Sequence, residues 1–184
     1  MDHFHHRDGE LWCEDVPLAV IAREVDTPAY VYSVRTVRDH VRRLREAFAP
    51  LDPLICYAMK ANANLALLKV FVAEGTGFDI VSGGELARAR AVGADPAKIV
   101  FSGVGKSTEE MAAALDAGVL MFNVESEAEL EVLAEVAAAR GRKAGVAIRV
   151  NPDVDPKTHR YITTGKRETK FGVDLERAEA LAHR

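Results

Sequence analysis

Leu54-Ile55-Cys56-Tyr57-Ala58-Met59-Lys60-Ala61-Asn62 is a short apolar run that ends on a single lysine. Read as a strand, it sends Cys56, Ala58 and Lys60 to one face and Ile55, Tyr57 and Met59 to the other. The small residues on the lysine's own face leave room in front of its amine. In a parallel barrel the carboxyl ends of the strands present the residues that bind and react. Partial desolvation there lowers a lysine's pKa and frees the nucleophilic amine for a Schiff base. Taken alone, the same run also reads as a strand whose last residue reaches into water.

Beyond this run the chain alternates apolar strands, polar turns and amphipathic helices. Asn64 is placed to cap a helix carrying Leu65, Leu68 and Val72, which Gly75 closes. Phe78-Asp79-Ile80-Val81-Ser82 is the second predicted strand, followed by a helix from about Gly84 to Val92. Ile99-Val100-Phe101-Ser102 is the third, and Ser107 with Glu110 forms a capping box for the next helix. Leu120 to Val124 is the fourth. Ser126 and Glu129 repeat the capping box before a helix with Leu130, Leu133 and Val136 on its core face. Val146 to Val150 is the fifth strand.

Strands about 20–25 residues apart, each interval holding a helix, require parallel pairing with right-handed crossovers. Doubly wound sheets and (β/α) barrels both meet that condition. The barrel is favoured because small or polar residues (Ala58, Asp79, Ser102 or Asn123, Ala147) alternate with bulky ones, as a tapering interior requires. Five strands do not close an eight-stranded barrel. A polar segment from Asn151 to Thr169 follows, of a length that is usually functional, and then a helix from Leu175 to His183 capped by Asp174. The chain therefore reads as the front part of a longer polypeptide, since parallel strands left open at an edge invite aggregation.

Upstream, the residues to about Ala29 suit an irregular lead-in with one short helix near Val16–Ala22. Pro28-Ala29-Tyr30-Val31-Tyr32 is aromatic and β-branched, a predicted strand. Ser33 is placed to cap a helix whose buried face is Val34, Val37, Val41, Leu44 and Phe48, ended by Pro50 and Pro53.

The composition narrows the classes of function. Of 184 residues, 48% are hydrophobic and 28% charged, enough apolar material for a core. A formal charge of -4 gives no electrostatic footprint for nucleic acid or an anionic membrane. Cys13 and Cys56 are the two cysteines and make no disulfide framework, which fits a reducing compartment. No apolar run suits a signal sequence or a bilayer span. A cytoplasmic protein is expected.

Several motifs have plain explanations. Gly103-Val104-Gly105-Lys106-Ser107 resembles the end of a phosphate-binding P-loop, but the motif needs glycine at position 100, which is valine. Ser82-Gly83-Gly84-Glu85 reads as a tight helix entry whose first turn favours the carboxylate. His3, His5 and His6 lack companions at metal-ligand spacing, so no metal site is expected, and His159 reads as an exposed loop residue. Asp79 is different: parity puts it inside, where an unpaired carboxylate is costly. Lys60 and Arg149 are the inward cations at the same carboxyl end, available as partners in either a structural ion pair or a site.

Together, Tyr57-Ala58-Met59-Lys60-Ala61-Asn62, Phe78 to Leu86, Phe101 to Lys106, Phe122 to Ser126 and Arg149 to Val154 resemble the alanine-racemase-like, barrel-containing family of pyridoxal-phosphate decarboxylases. The resemblance runs from Tyr30 to the last helix. It implies an α/β fold, a (β/α)8 TIM barrel of which this chain supplies about five units over 34–184, with residues 1–33 joining a separate β-domain. It also implies that Lys60 carries pyridoxal 5'-phosphate as a Schiff base, that Asp79, Glu85 and Arg149 belong to the polar network around that cofactor, and that the full-length protein is a homodimer. The stretch Lys157 to Gly165, followed by Lys170-Phe171-Gly172, is more similar to the branch that decarboxylates meso-2,6-diaminopimelate to L-lysine than to its ornithine relatives. In that branch the cofactor-stacking histidine, the phosphate loop and the residues completing the site come from later sequence, so these residues alone are expected to be inactive. The alternatives are a decarboxylase of ornithine, arginine or carboxynorspermidine, or a non-catalytic pyridoxal-phosphate binder. A racemase would need a second acid/base opposite Lys60.

Overall fold

In a computed structural model, which describes residues 2–151 and 172–182, the dominant element is a five-stranded parallel sheet. Its strands are β4 (Cys56–Ala58), β5 (Gly77–Ile80), β6 (Ile99–Phe101), β7 (Met121–Val124) and β8 (Val146–Ile148), in that spatial order. Strand order that follows chain order without reversal is barrel winding, because a doubly wound sheet turns back at a switch point. Register sets Ala58 beside Asp79, Asp79 beside Val100 and Asn123 beside Ala147. The small and polar residues expected on the inward face therefore do line up across it.

The opposite face carries the core. Phe78, Ile80, Ile99, Phe101, Phe122 and Val124 are buried beneath the helices. Each such side chain taken fully from water stabilises the fold by roughly 1.5–3 kcal/mol. The covering helices are α3 (Leu65–Ala73), α4 (Gly83–Ala91), α5 (Thr108–Ala117) and α6 (Glu127–Ala139). Asn64 caps α3 by accepting from Ala66 N–H, and Ser107 and Glu110 close α5 with the capping box read from the sequence. On α3 the buried residues are Leu67, Leu68 and Phe71, whereas Leu65 in its first turn is exposed.

The fifth predicted strand is broken. Val146–Ile148 pairs with β7, Arg149 lies between, and β9 (Val150–Asn151) pairs in parallel with β10 (Val173–Asp174), a strand the sequence reading did not contain. One segment thus continues the barrel order toward a sixth strand, and α7 (Leu175–Ala182) follows with Arg177 N–H donating to Asp174 Oδ1. The predicted loop from Asn151 to Thr169 lies almost wholly outside the described residues, as does the stretch Lys157–Gly165.

The lead-in is not irregular. β1 (Phe4–Arg7), β2 (Glu10–Cys13) and β3 (Val16–Pro17) form an antiparallel sheet, followed by α1 (Leu18–Val25). Asp8 and Gly9 join β1 to β2 with φ of 52° and 83°, both positive as a tight two-residue hairpin turn requires. Conversely, Pro28 to Tyr32 forms no strand among the described residues, because no described strand lies alongside to take its backbone groups. The helix after it, α2 (Val34–Ala47), starts at Ser33 as read, with Val41 buried, while Leu44 and Phe48 are exposed.

Candidate active site

At the carboxyl ends of the parallel strands lies a cleft of about 550 Å³ whose lining includes Lys60, Asp79, Ser102, Asn123, Glu125 and Arg149. Lys60 stands in a 3₁₀ turn directly after β4. The turn is pinned on both sides: Met59 is fully buried, and the Tyr57 hydroxyl donates to Asn62 carbonyl at 3.2 Å. Tyr57 in turn stacks on Phe71, with ring centroids 3.8 Å apart. Lys60 itself is exposed, so the desolvation anticipated for it is absent among the described residues.

Asp79 is satisfied differently from the sequence reading. Neither Lys60 nor Arg149 pairs with it among the described residues; the Ser102 hydroxyl donates to its Oδ1 at 2.5 Å, and Asn123 Nδ2 donates to Ser102 Oγ at 2.8 Å. The reason is register: the three side chains stand on β5, at the end of β6 and on β7, on one face. Asp79 also adds to the burial that pushes the neighbouring Cys56 thiol up, the burial being the larger cause. Arg149 instead meets Glu125, its Nη1 lying 3.1 and 2.9 Å from the two carboxylate oxygens. The Glu125 side chain is only 4% exposed, against 40% for Arg149.

Lys106, the lysine of the rejected P-loop, is turned inward. Its side chain is 0% exposed and its ammonium donates to Gly103 carbonyl (2.7 Å), Asn123 carbonyl (2.8 Å) and Glu129 Oε1 (2.5 Å). All three of its protons have acceptors, which a buried charge requires.

The helices that leave the cleft begin with their own carboxylates. Glu85 Oε2 accepts from Val81 N–H at 2.7 Å, Glu110 accepts from Gly83 N–H and Ser107 N–H, and Glu129 Oε2 accepts from Glu125 N–H at 3.0 Å. Glu129 therefore does not close a capping box on Ser126, as its sequence position suggested; its carboxylate reaches one residue further back. The first turns of α4, α5 and α6 thus carry acidic side chains beside the positive helix ends.

Of the four residues singled out from the sequence, Lys60, Asp79 and Arg149 share the cleft, whereas Glu85 does not line it. Ser102, Asn123, Glu125, Glu129 and Lys106 were not singled out as site residues. Strand parity was the available signal for Ser102 and Asn123, and the buried pairings of Glu125, Glu129 and Lys106 had none. Among the described residues no cluster of three or more His, Cys, Asp or Glu side chains is arranged to hold a metal, and His3 pairs with Asp39 at 2.7 Å.

A parallel sheet wound in barrel order, with a polar cleft at the carboxyl ends of its strands, has the architecture of barrel enzymes, and the chain belongs to the pyridoxal-dependent decarboxylases, whose pyridoxal-binding domain matches residues 34–184. The cofactor of that domain is pyridoxal phosphate. Within the family the chain is 53% identical to diaminopimelate decarboxylase of Pseudomonas aeruginosa over 181 residues, and 51% identical to that of Vibrio cholerae over 187. These alignments cover 98% and 100% of this chain but 44% and 45% of the relatives, so the chain spans less than half their length. Among solved structures, diaminopimelate decarboxylase of M. jannaschii in complex with L-lysine superposes with a TM-score of 0.88 at 37% identity, over 98% of this chain and 43% of that one. The Helicobacter pylori enzyme, also complexed with L-lysine, gives 0.84 at 43%, over 90% and 41%.

The cleft fits one end of that cofactor. An exposed amine suits its aldehyde, and the carboxylate, hydroxyl and guanidinium of Asp79, Ser102 and Arg149 suit its polar ring substituents.

Proposed function

We propose that this chain is the amino-terminal part of a diaminopimelate decarboxylase, converting meso-2,6-diaminopimelate to L-lysine and carbon dioxide. The observation that carries the reading is the meeting of Lys60, Asp79 and Arg149 in one cleft at the carboxyl ends of the strands. Relatives at about half identity over nearly the whole chain support the substrate. Pyridoxal phosphate, when bound, supplies an electron sink for the bond to the departing carboxyl carbon.

The chain's own residues do the rest. Lys60 would hold the cofactor through its amine, and the Tyr57–Asn62 hydrogen bond and buried Met59 fix the backbone turn from which that side chain extends. Asp79 would accept a hydrogen bond from the bound group and so orient it. Arg149, held by Glu125 at 2.9 Å, presents its guanidinium at the cleft wall, where it would face a substrate carboxylate. Glu85 acts indirectly, fixing the backbone of Val81, which lines the cleft.

The same reading makes the full-length protein a cytoplasmic homodimer, with residues 1–33 attached to a β-domain and 34–184 contributing to the barrel. Two free cysteines suit a reducing compartment, and no helix among the described residues is long and apolar enough to cross a membrane. The separate three-stranded sheet and the solvent-facing Tyr30, 90% exposed, suit docking of the amino-terminal segment.

The test is an assay of the full-length gene product with pyridoxal phosphate and, separately, meso-diaminopimelate, ornithine and arginine. L-lysine from diaminopimelate, and none from residues 1–184 alone, is the expected outcome. Product from ornithine or arginine with none from diaminopimelate would overturn the substrate.

A further inference from the structure

Asp79, Ser102 and Asn123 form a hydrogen-bonded row across three neighbouring strands of the cleft wall. Its direction follows from the donors available. Asn123 Nδ2 occupies a lone pair of Ser102 Oγ, so the one hydroxyl proton is free to go to Asp79 Oδ1. Among the described residues the other oxygen, Oδ2, makes no hydrogen bond. A carboxylate held at one oxygen and open at the other is an oriented acceptor.

We propose that Ser102 and Asn123 are positioning residues that fix the Asp79 carboxylate so that its free oxygen receives an N–H or O–H donor of the group bound in the cleft. The inference rests on the reading of Asp79 as a cofactor-binding residue and adds what aims it. No other described side chain hydrogen-bonds to Asp79, so without Ser102 the carboxylate rotates about its own torsions or turns to water.

The experiment measures the equilibrium affinity of the full-length protein for pyridoxal phosphate by absorbance, with thermal unfolding recorded for every variant. Loss of a hydrogen bond to a charged group is expected to make Ser102→Ala bind about tenfold more weakly. Ser102→Thr, which keeps the hydroxyl, binds within about threefold of the original. Ser102→Ala combined with Asp79→Ala binds no worse than Asp79→Ala alone, because Ser102 acts only through Asp79. A merely structural serine would instead give additive losses, and that result overturns the proposal. So does full affinity in Ser102→Ala when Asp79→Ala binds weakly. If neither Asp79→Ala nor Lys60→Ala changes affinity, the reading of the cleft itself falls. Should Ser102→Ala not fold, Asn123→Ala takes its place, with a smaller loss that also vanishes in the Asp79→Ala background; unchanged affinity there overturns the proposal.

Discussion

Lys106 and Glu129 form an ion pair of 2.5 Å in which the lysine side chain is wholly buried and the glutamate side chain 11% exposed. The same ammonium ties the carbonyls of Gly103 and Asn123, so one side chain joins the ends of β6 and β7 to the start of α6. Removing one member of a buried pair leaves the other charged and unsolvated. Lys106→Met is therefore expected to destabilise the fold by about 3–5 kcal/mol. Adding Glu129→Gln, which removes the orphaned charge but keeps an acceptor for Glu125 N–H, recovers part of that loss. Urea unfolding of the single and double variants measures both, and a Lys106→Met protein of unchanged midpoint would contradict the pairing.

Gly77 marks the closest approach in the sheet. A Cβ there would lie 2.1 Å from the Lys98 carbonyl oxygen and 2.9 Å from Cys56 Sγ. The carbonyl is backbone and cannot swing away, so the strands have to shift. Gly77→Ala is expected to cost about 1–3 kcal/mol by overpacking, read as a lower thermal midpoint. Gly93→Ala, where nothing stands within 4 Å but φ is +76°, isolates backbone strain from crowding.

Acid stability carries the signature of Glu74. Arg42 grips its carboxylate with two bonds of 3.0 Å and Arg38 stands 3.5 Å away, and Arg45 donates to its carbonyl. The hydrogen bond from Arg42 is the largest cause holding this carboxyl below its ordinary value. A depressed carboxyl contributes stability that is complete above the unfolded value, near pH 4.3, and fades as the pH falls through the folded one. Glu74→Gln is expected to lower stability at pH 7 and flatten its decline below about pH 4.3. Because Arg38 and Arg42 are about half exposed, the difference shrinks in 1 M salt. Urea midpoints across pH 3–7 at two ionic strengths test the sign.

Much of this was legible because the βα pattern is periodic. Serine caps with glutamate three residues on located the starts of α4, α5 and α6, and strand parity placed Asp79, Ser102, Asn123 and Ala147 on one face. What escaped lacked that periodicity. β1 and β2 are four residues each and largely exposed, so no apolar alternation marked them, although Asp8-Gly9 is a hairpin signal that was there to be read. β10 is two residues long. Pro28 to Tyr32 has strand composition, but a strand is completed by a neighbour and none is at hand among the described residues. The partners of Asp79 and Arg149 depend on which side chains converge in three dimensions: a serine one strand over satisfied the aspartate, and a glutamate one strand over took the arginine.

The proposed function depends above all on Lys60 as the residue that holds the cofactor. Borohydride reduction of the pyridoxal phosphate-loaded full-length protein, followed by peptide mass mapping, tests it most directly. A single pyridoxyl mass on the peptide containing Lys60, absent from Lys60→Ala, is the expected result. Label on Lys69, Lys98 or the buried Lys106, or equal labelling in Lys60→Ala, would contradict it.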